Sequence, residues 1–139
     1  MMRNPYQSYV EQDVQSGDPL KLVQMLYRGA IDAVSAARVH LRQGAIRERS
    51  RQIGKALAIV HELLRSLDRH QEISKSLARL YVYMTKRLIE ANAAQSEAPL
   101  AEVERLLSTL LEGWRAISPA PAVAEETGAE ELDPVSYSY

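Results

Sequence analysis

From Leu22 to Ile117 the apolar residues of this chain return at intervals of three and four, and no stretch alternates by twos. Spacings of three and four put side chains on one face of a 3.6-residue helix, whereas a half-buried strand needs every second position. The pattern predicts an all-α fold without a sheet. Four such runs follow one another. The first opens at Asp18-Pro19, an N-cap acid before a proline whose missing N–H costs nothing at the first helical position. Its apolar residues form two adjacent stripes, Leu22, Leu26, Gly29, Ala33, Ala36 and Val23, Tyr27, Ala30, Val34, Ala37, Leu41. Lys21, Gln24, Arg28, Asp32, Ser35 and Arg42 occupy the opposite face, and Gly44 marks the stop.

The second run turns Ile46, Ile53, Leu57, Val60, Leu64 and Leu67 inward and is expected to end near Asp68. The third turns in Ile73, Leu77, Leu80, Met84, Leu88 and Ala91, flanked by Tyr81 and Tyr83, and fades in the polar stretch NAAQSEAP. The fourth carries Leu100, Val103, Leu107, Leu110, Trp114 and Ile117, with Pro119 closing it. Connections of a few residues make consecutive helices antiparallel, so the expected fold is an up-down-up-down four-helix bundle over residues 18–117. Residues 1–17 read as an N-terminal capping segment. Residues 118–139 hold Glu125, Glu126, Glu130, Glu131 and Asp133, no base and little to bury, which predicts a disordered acidic tail.

That tail accounts for the nearly balanced net charge of −1, because residues 1–117 hold 17 bases against 13 acids. So small and scattered an excess is not a nucleic-acid footprint, which gathers its bases in one stripe. No apolar run approaches the roughly 20 residues of a membrane span. MMRNPYQSY lacks the apolar core of a secretory signal. With no Cys there is no disulfide and no thiol chemistry, which suits a cytoplasmic protein.

Catalytic constellations are missing from the pattern. There is no glycine-rich phosphate loop and no G-x-S-x-G elbow. His61-Glu62 begins like a zinc-protease helix, but Arg65 stands where the second histidine belongs; His40 and His70 fall near helix ends. No Glu-x-x-His occurs, so the inward carboxylate set of a di-iron bundle is not expected. The reading is of a non-enzyme without cofactor or metal. What remains is surplus apolar surface. A bundle helix needs roughly three positions in seven for its core, and the first helix and the Tyr/Met flank of the third exceed that. The excess fits plain core, or a groove for another helix, to which Met and Tyr adapt well.

Asn4-Pro5-Tyr6-x-x-Tyr9, Val14 and Pro19-x-x-Leu22, leading into Met25-Leu26-Tyr27-x-Gly29-Ala30-Ile31, resemble the N-terminal signature of the flagellin export chaperones, the FliS family. The similarity continues through Ile53-x-Lys55-Ala56-x-x-Ile59, Leu67-Asp68, Glu72-Ile73, Leu80-Tyr81-x-Tyr83-Met84 and Arg87-Leu88-x-x-Ala91-Asn92 to Trp114. Two departures stand out: Arg28 where the family has an acid, and His70-Gln71 in place of paired glycines before Glu72. The resemblance implies a cytoplasmic, non-enzymatic bundle that binds the C-terminal segment of flagellin, prevents its premature polymerisation and delivers it to the flagellar export gate. The implied partner-binding residues are Tyr6, Tyr9, Val14, Leu22, Leu26, Tyr27, Ala30, Tyr81, Met84 and Asn92. Tyr6 and Tyr9, three apart, share a helical face and read either as a displaceable lid over a groove beside the first helix or as a static cap. A monomer is expected; the alternative function is a self-associating scaffold or regulatory module that buries its apolar flanks in a dimer.

Overall fold

A computed structural model describes residues 18–117. They form four helices, α1 Pro19–Arg42, α2 Ile46–Arg65, α3 Glu72–Ala94 and α4 Glu97–Ala116, and among the described residues there is no strand. The residues expected at both chain ends, the capping segment with Tyr6, Tyr9 and Val14 and the acidic tail with Pro119, lie outside the described residues.

Each boundary has a local cause. Asp18 Oδ1 accepts the Lys21 backbone N–H at 3.0 Å, and Pro19 opens α1. At the other end Gly44 takes φ +72°, its N–H donates to the Leu41 carbonyl, and Ala45 N–H reaches back to the His40 carbonyl at 2.9 Å. Together these bonds make a Schellman motif, which needs a residue in the left-handed region and so favours glycine. α2 stops at Arg65, three residues before the expected Asp68. The Ser66 hydroxyl binds the Glu62 carbonyl at 2.8 Å, and Asp68 Oδ1 instead holds the His70 backbone N–H at 2.9 Å. These local side-chain bonds compete with further helix.

The polar stretch NAAQSEAP is almost entirely helical, contrary to expectation. Only Gln95 and Ser96 separate α3 from α4. Gln95 turns the chain with φ 53°, and Pro99 falls in the first turn of α4, where no backbone donor is required.

α1 packs on α2 and α4, and α3 packs on the same two helices, so the four stand at the corners of a square with α1 and α3 on a diagonal. Side-chain bonds fix the antiparallel sense. Arg38 and Arg42 near the end of α1 hold Glu97 at the start of α4, and Arg49 near the start of α2 holds Asn92 near the end of α3. The core is continuous from Leu26 and Tyr27 through Ile53, Val60 and Leu63 to Tyr81, Met84, Leu88, Leu100, Val103 and Leu107.

Three residues expected to face inward do not. Ile46, Ile73 and Ile117 are 57%, 56% and 48% exposed. All three sit at helix ends, where the apolar stripe runs past the last layer that a neighbouring helix can cover. Tyr81, expected as a flank, is fully buried, while Tyr83 beside it is at the surface.

Candidate functional site

Tyr27 and Tyr81 meet across the diagonal of the square, hydroxyl to hydroxyl at 2.5 Å, with their rings edge to face and centroids 6.5 Å apart. Trp114 of α4 stands edge-on to Tyr27 at 6.4 Å, and its indole N–H donates to the Tyr27 oxygen. Gln24, expected on the polar face, is half-buried and donates to the Trp114 carbonyl at 3.3 Å. One aromatic chain thus ties α1, α3 and α4. Burial raises both hydroxyl pKa values, that of Tyr27 to about 12 despite the opposing hydrogen bonds, and that of Tyr81 still further. Both groups are therefore neutral dipoles at neutral pH, with a structural role.

The other implied partner-binding residues divide by depth. Leu26, Ala30 and Met84 join the two tyrosines in the core, so none of the five offers surface in this state of the chain. Leu22 is half-buried against that core. Asn92 is also half-buried, and it is committed: its Oδ1 accepts from Arg49 Nε and from Ser50 Oγ, both at 3.1 Å, and its carbonyl accepts from Arg49 Nη2. Arg49 is buried without a carboxylate partner, so its charge rests on the carbonyl-rich last turn of α3, the negative end of that helix.

Apolar surface open to a partner appears along the seam between α3 and α4. Tyr83 and Arg87 from α3 clasp Glu102 of α4, with the Tyr83 hydroxyl at 2.8 Å from each carboxylate oxygen and Arg87 Nε at 2.6 Å. Those two bonds hold the Glu102 carboxyl below its ordinary pKa, Tyr83 contributing most. From this clasp toward the start of α3 and the end of α4 the same faces turn apolar. Leu80 lies three before Tyr83 and Ile73 seven before Leu80, while Leu106 and Leu110 follow Glu102 at four-residue steps and Ile117 comes seven later. Leu80, Leu106 and Leu110 are half-buried against the core, and the two isoleucines stand open at the end of the bundle. This trough ends beside the start of α1, where Leu22 and Trp114 are also half-buried. The apolar periodicity turns Ile73, Leu80, Leu110, Trp114 and Ile117 inward and passes over Leu106, because it marks a face and not what covers it.

Among the described residues no group of three His, Asp or Glu side chains could hold a metal, and no helix is long and apolar enough to cross a membrane. The family model of the flagellar protein FliS matches residues 2–121.

The chain belongs to the FliS family.

The flagellar secretion chaperone FliS of Salmonella typhimurium is 38% identical over 119 residues, which cover 84% of this chain and 88% of that protein. The flagellar secretion chaperone FliSB of Pseudomonas aeruginosa is 36% identical over 84% of this chain and 94% of its own length. FliS of Bacillus subtilis, also a flagellar secretion chaperone, is 31% identical over 82% of this chain and 86% of its own. FliS is a family of chaperones and not of enzymes, which agrees with a bundle whose polar groups are spent on tying helices together.

Proposed function

We propose that this FliS-family chaperone takes the C-terminal segment of flagellin as its client and holds it as a helix along apolar grooves of the bundle. The observation that supports this reading best is the α3–α4 trough, where Ile73 and Ile117 are exposed beside the half-buried Leu80, Leu106 and Leu110. A disordered amphipathic client loses conformational entropy when it folds, and burial of its apolar face in a preformed groove offsets that cost. The core residues Tyr27, Tyr81 and Met84 then act from beneath, by fixing the spacing of the helices that bound the groove. Tyr6, Tyr9 and Val14 are proposed as a displaceable lid beside α1, where Leu20 and Val23 are buried yet outside the central cluster. The complex works in the cytoplasm and hands its client to the flagellar export gate.

Calorimetric titration with a peptide of the flagellin C-terminal region, with helicity followed by circular dichroism, tests the reading. The expected result is one-to-one binding with helix gained beyond the sum of the parts, weakened at least tenfold by Ile73→Asp with Ile117→Asp. Absence of binding at high micromolar peptide rejects flagellin as client. Binding that ignores the two substitutions moves the groove elsewhere. A self-associating scaffold predicts instead a light-scattering mass twice that of the monomer, lowered to the monomer value by the same pair.

A further inference from the structure

A second surface lies between α2 and α3, bordering the α3–α4 clasp at Tyr83. Its floor is Leu64 of α2 with Ala78 and Val82 of α3, and its rim carries Arg69, Arg79 and Lys86. Val82 is 40% exposed, and Ile89, one turn and three residues further along α3, is 58% exposed on the same face. What distinguishes this groove is that three cations gather around one apolar floor. Some basic side chains of the bundle are clasped by acids, Arg38 by Glu97 and Glu104, Arg42 by Glu97, Arg65 by Glu62, and Arg87 by Glu90 and Glu102, while Arg28, Arg47, Arg51, Arg105 and Arg115 are scattered over other faces without such a clasp. Arg69, Arg79 and Lys86 make no ion pair or hydrogen bond through their side chains among the described residues. A groove with an apolar floor and three unanswered positive charges is matched by an acidic segment interspersed with apolar side chains.

Such a segment exists in the same chain. Residues 118–139 carry five acids and no base, and set Val123, Leu132, Val135 and Tyr137 among them. The topology puts its point of departure within reach. The short α3–α4 connection joins the end of α3 to the start of α4, so Ile117 lies at the end of the bundle where α3 begins and α2 finishes. That is the end at which Arg69 and Arg79 stand. The first acid is eight residues beyond Ile117, a stretch that spans up to roughly 25 Å when extended, enough to cross a bundle made of helices about 10 Å apart. Tethering of this kind raises the local concentration of the segment to about the millimolar range, at which even weak exposed ion pairs hold.

We propose that the acidic segment 118–139 docks in cis on the α2–α3 groove, with its carboxylates on Arg69, Arg79 and Lys86 and its apolar side chains over Leu64, Ala78 and Val82. The contact is salt-sensitive, and it covers a basic, apolar face that would otherwise attract other acidic chains. It shares α3 with the α3–α4 trough but does not rest on the client reading, since Arg69, Arg79 and Lys86 are not among the residues to which that reading assigns the client.

The absence of cysteine makes the test direct. Ser136→Cys in the full-length protein is labelled with a nitroxide, and its relaxation effect on backbone amides is read by NMR at 50 mM NaCl. Docking predicts signal loss of at least half at Ala78, Val82 and Lys86, with little at α1. The effect should be largely abolished at 500 mM NaCl, by Arg69→Glu with Arg79→Glu and Lys86→Glu, and by neutralising the five acids to Gln and Asn, a variant that leaves the bundle untouched. Signal loss spread evenly over all four helices, or centred on α3 but indifferent to both sets of substitutions, overturns the proposal. So does loss seen only when labelled chains act on unlabelled ones in a mixed sample, which would make the occupant a second copy.

Discussion

The buried tyrosine pair offers the sharpest test of how this bundle is held together. Tyr81→Phe removes a hydroxyl that is fully buried and 2.5 Å from that of Tyr27, leaving Tyr27 with only the Trp114 indole as a partner. A buried polar group that loses a partner costs about 1–3 kcal/mol, and for a bundle of this size each kcal/mol lowers the thermal midpoint by roughly 4–8 °C. Tyr27→Phe should cost a similar amount. The double variant should cost less than the sum by about 1 kcal/mol, because neither hydroxyl is then left facing an empty partner. The pair also sets a pH dependence of definite sign. Both hydroxyls have raised pKa values in the folded chain, so their neutral forms contribute stability that is complete below the ordinary value of 10.0 and declines as pH rises toward about 12 for Tyr27 and beyond it for Tyr81. Each buried tyrosine adds a slope approaching 1.4 kcal/mol per pH unit above 10. Urea unfolding at pH 7 to 11, followed by the fluorescence of Trp114, the single tryptophan, reads both effects. Strict additivity of the two single losses, or a stability gap between wild type and the double variant that stays constant from pH 9 to 11, would refute the reasoning.

Gln95 holds a left-handed conformation without being glycine, so Gln95→Gly should raise stability by about 0.5–1 kcal/mol in urea unfolding. Gly44→Ala should lower it by about 1 kcal/mol, although no atom lies within 4 Å of the added methyl group, because only its φ of +72° resists the change. The Glu97 carboxyl is held down to about 2 by Arg42 and then Arg38. Its contribution is complete above the ordinary value of 4.5 and is lost as pH falls through about 2. Glu97→Gln should accordingly be less stable than wild type at pH 6, with the difference vanishing in thermal melts near pH 2. Arg49→Met replaces a buried cation that has only Asn92 for a partner; loss of the bonds to Asn92 should loosen the end of α3, seen as faster hydrogen exchange at residues 90–94 while α1 is unchanged.

Asp18-Pro19 and Gly44 identified the ends of α1 because capping is chemistry between residues three to five apart. The end of α3 was obscured because NAAQSEAP is polar and contains a proline, both ordinary signs of a loop. There the chain reverses in two residues, and Pro99 sits in the one part of a helix that tolerates it. Tyr81 and Tyr83 are two positions apart, about 160° around a helix, and could not both be flanks. Which one enters the core depends on where Tyr27 and Leu107 lie, and those belong to other helices.

The sequence by itself determined the class of fold, the four helices, most of their ends and the family, because each depends on local periodicity, local capping or the order of residues along the chain. Only the tertiary structure decided which apolar residues are core and which are surface. A stripe on one helix records its own angular position but not the length or placement of the neighbour that covers it. For that reason Tyr27, Tyr81 and Met84 are interior ties, while Ile73 and Ile117, alike in hydrophobicity to any core residue, are left at the open end of the bundle.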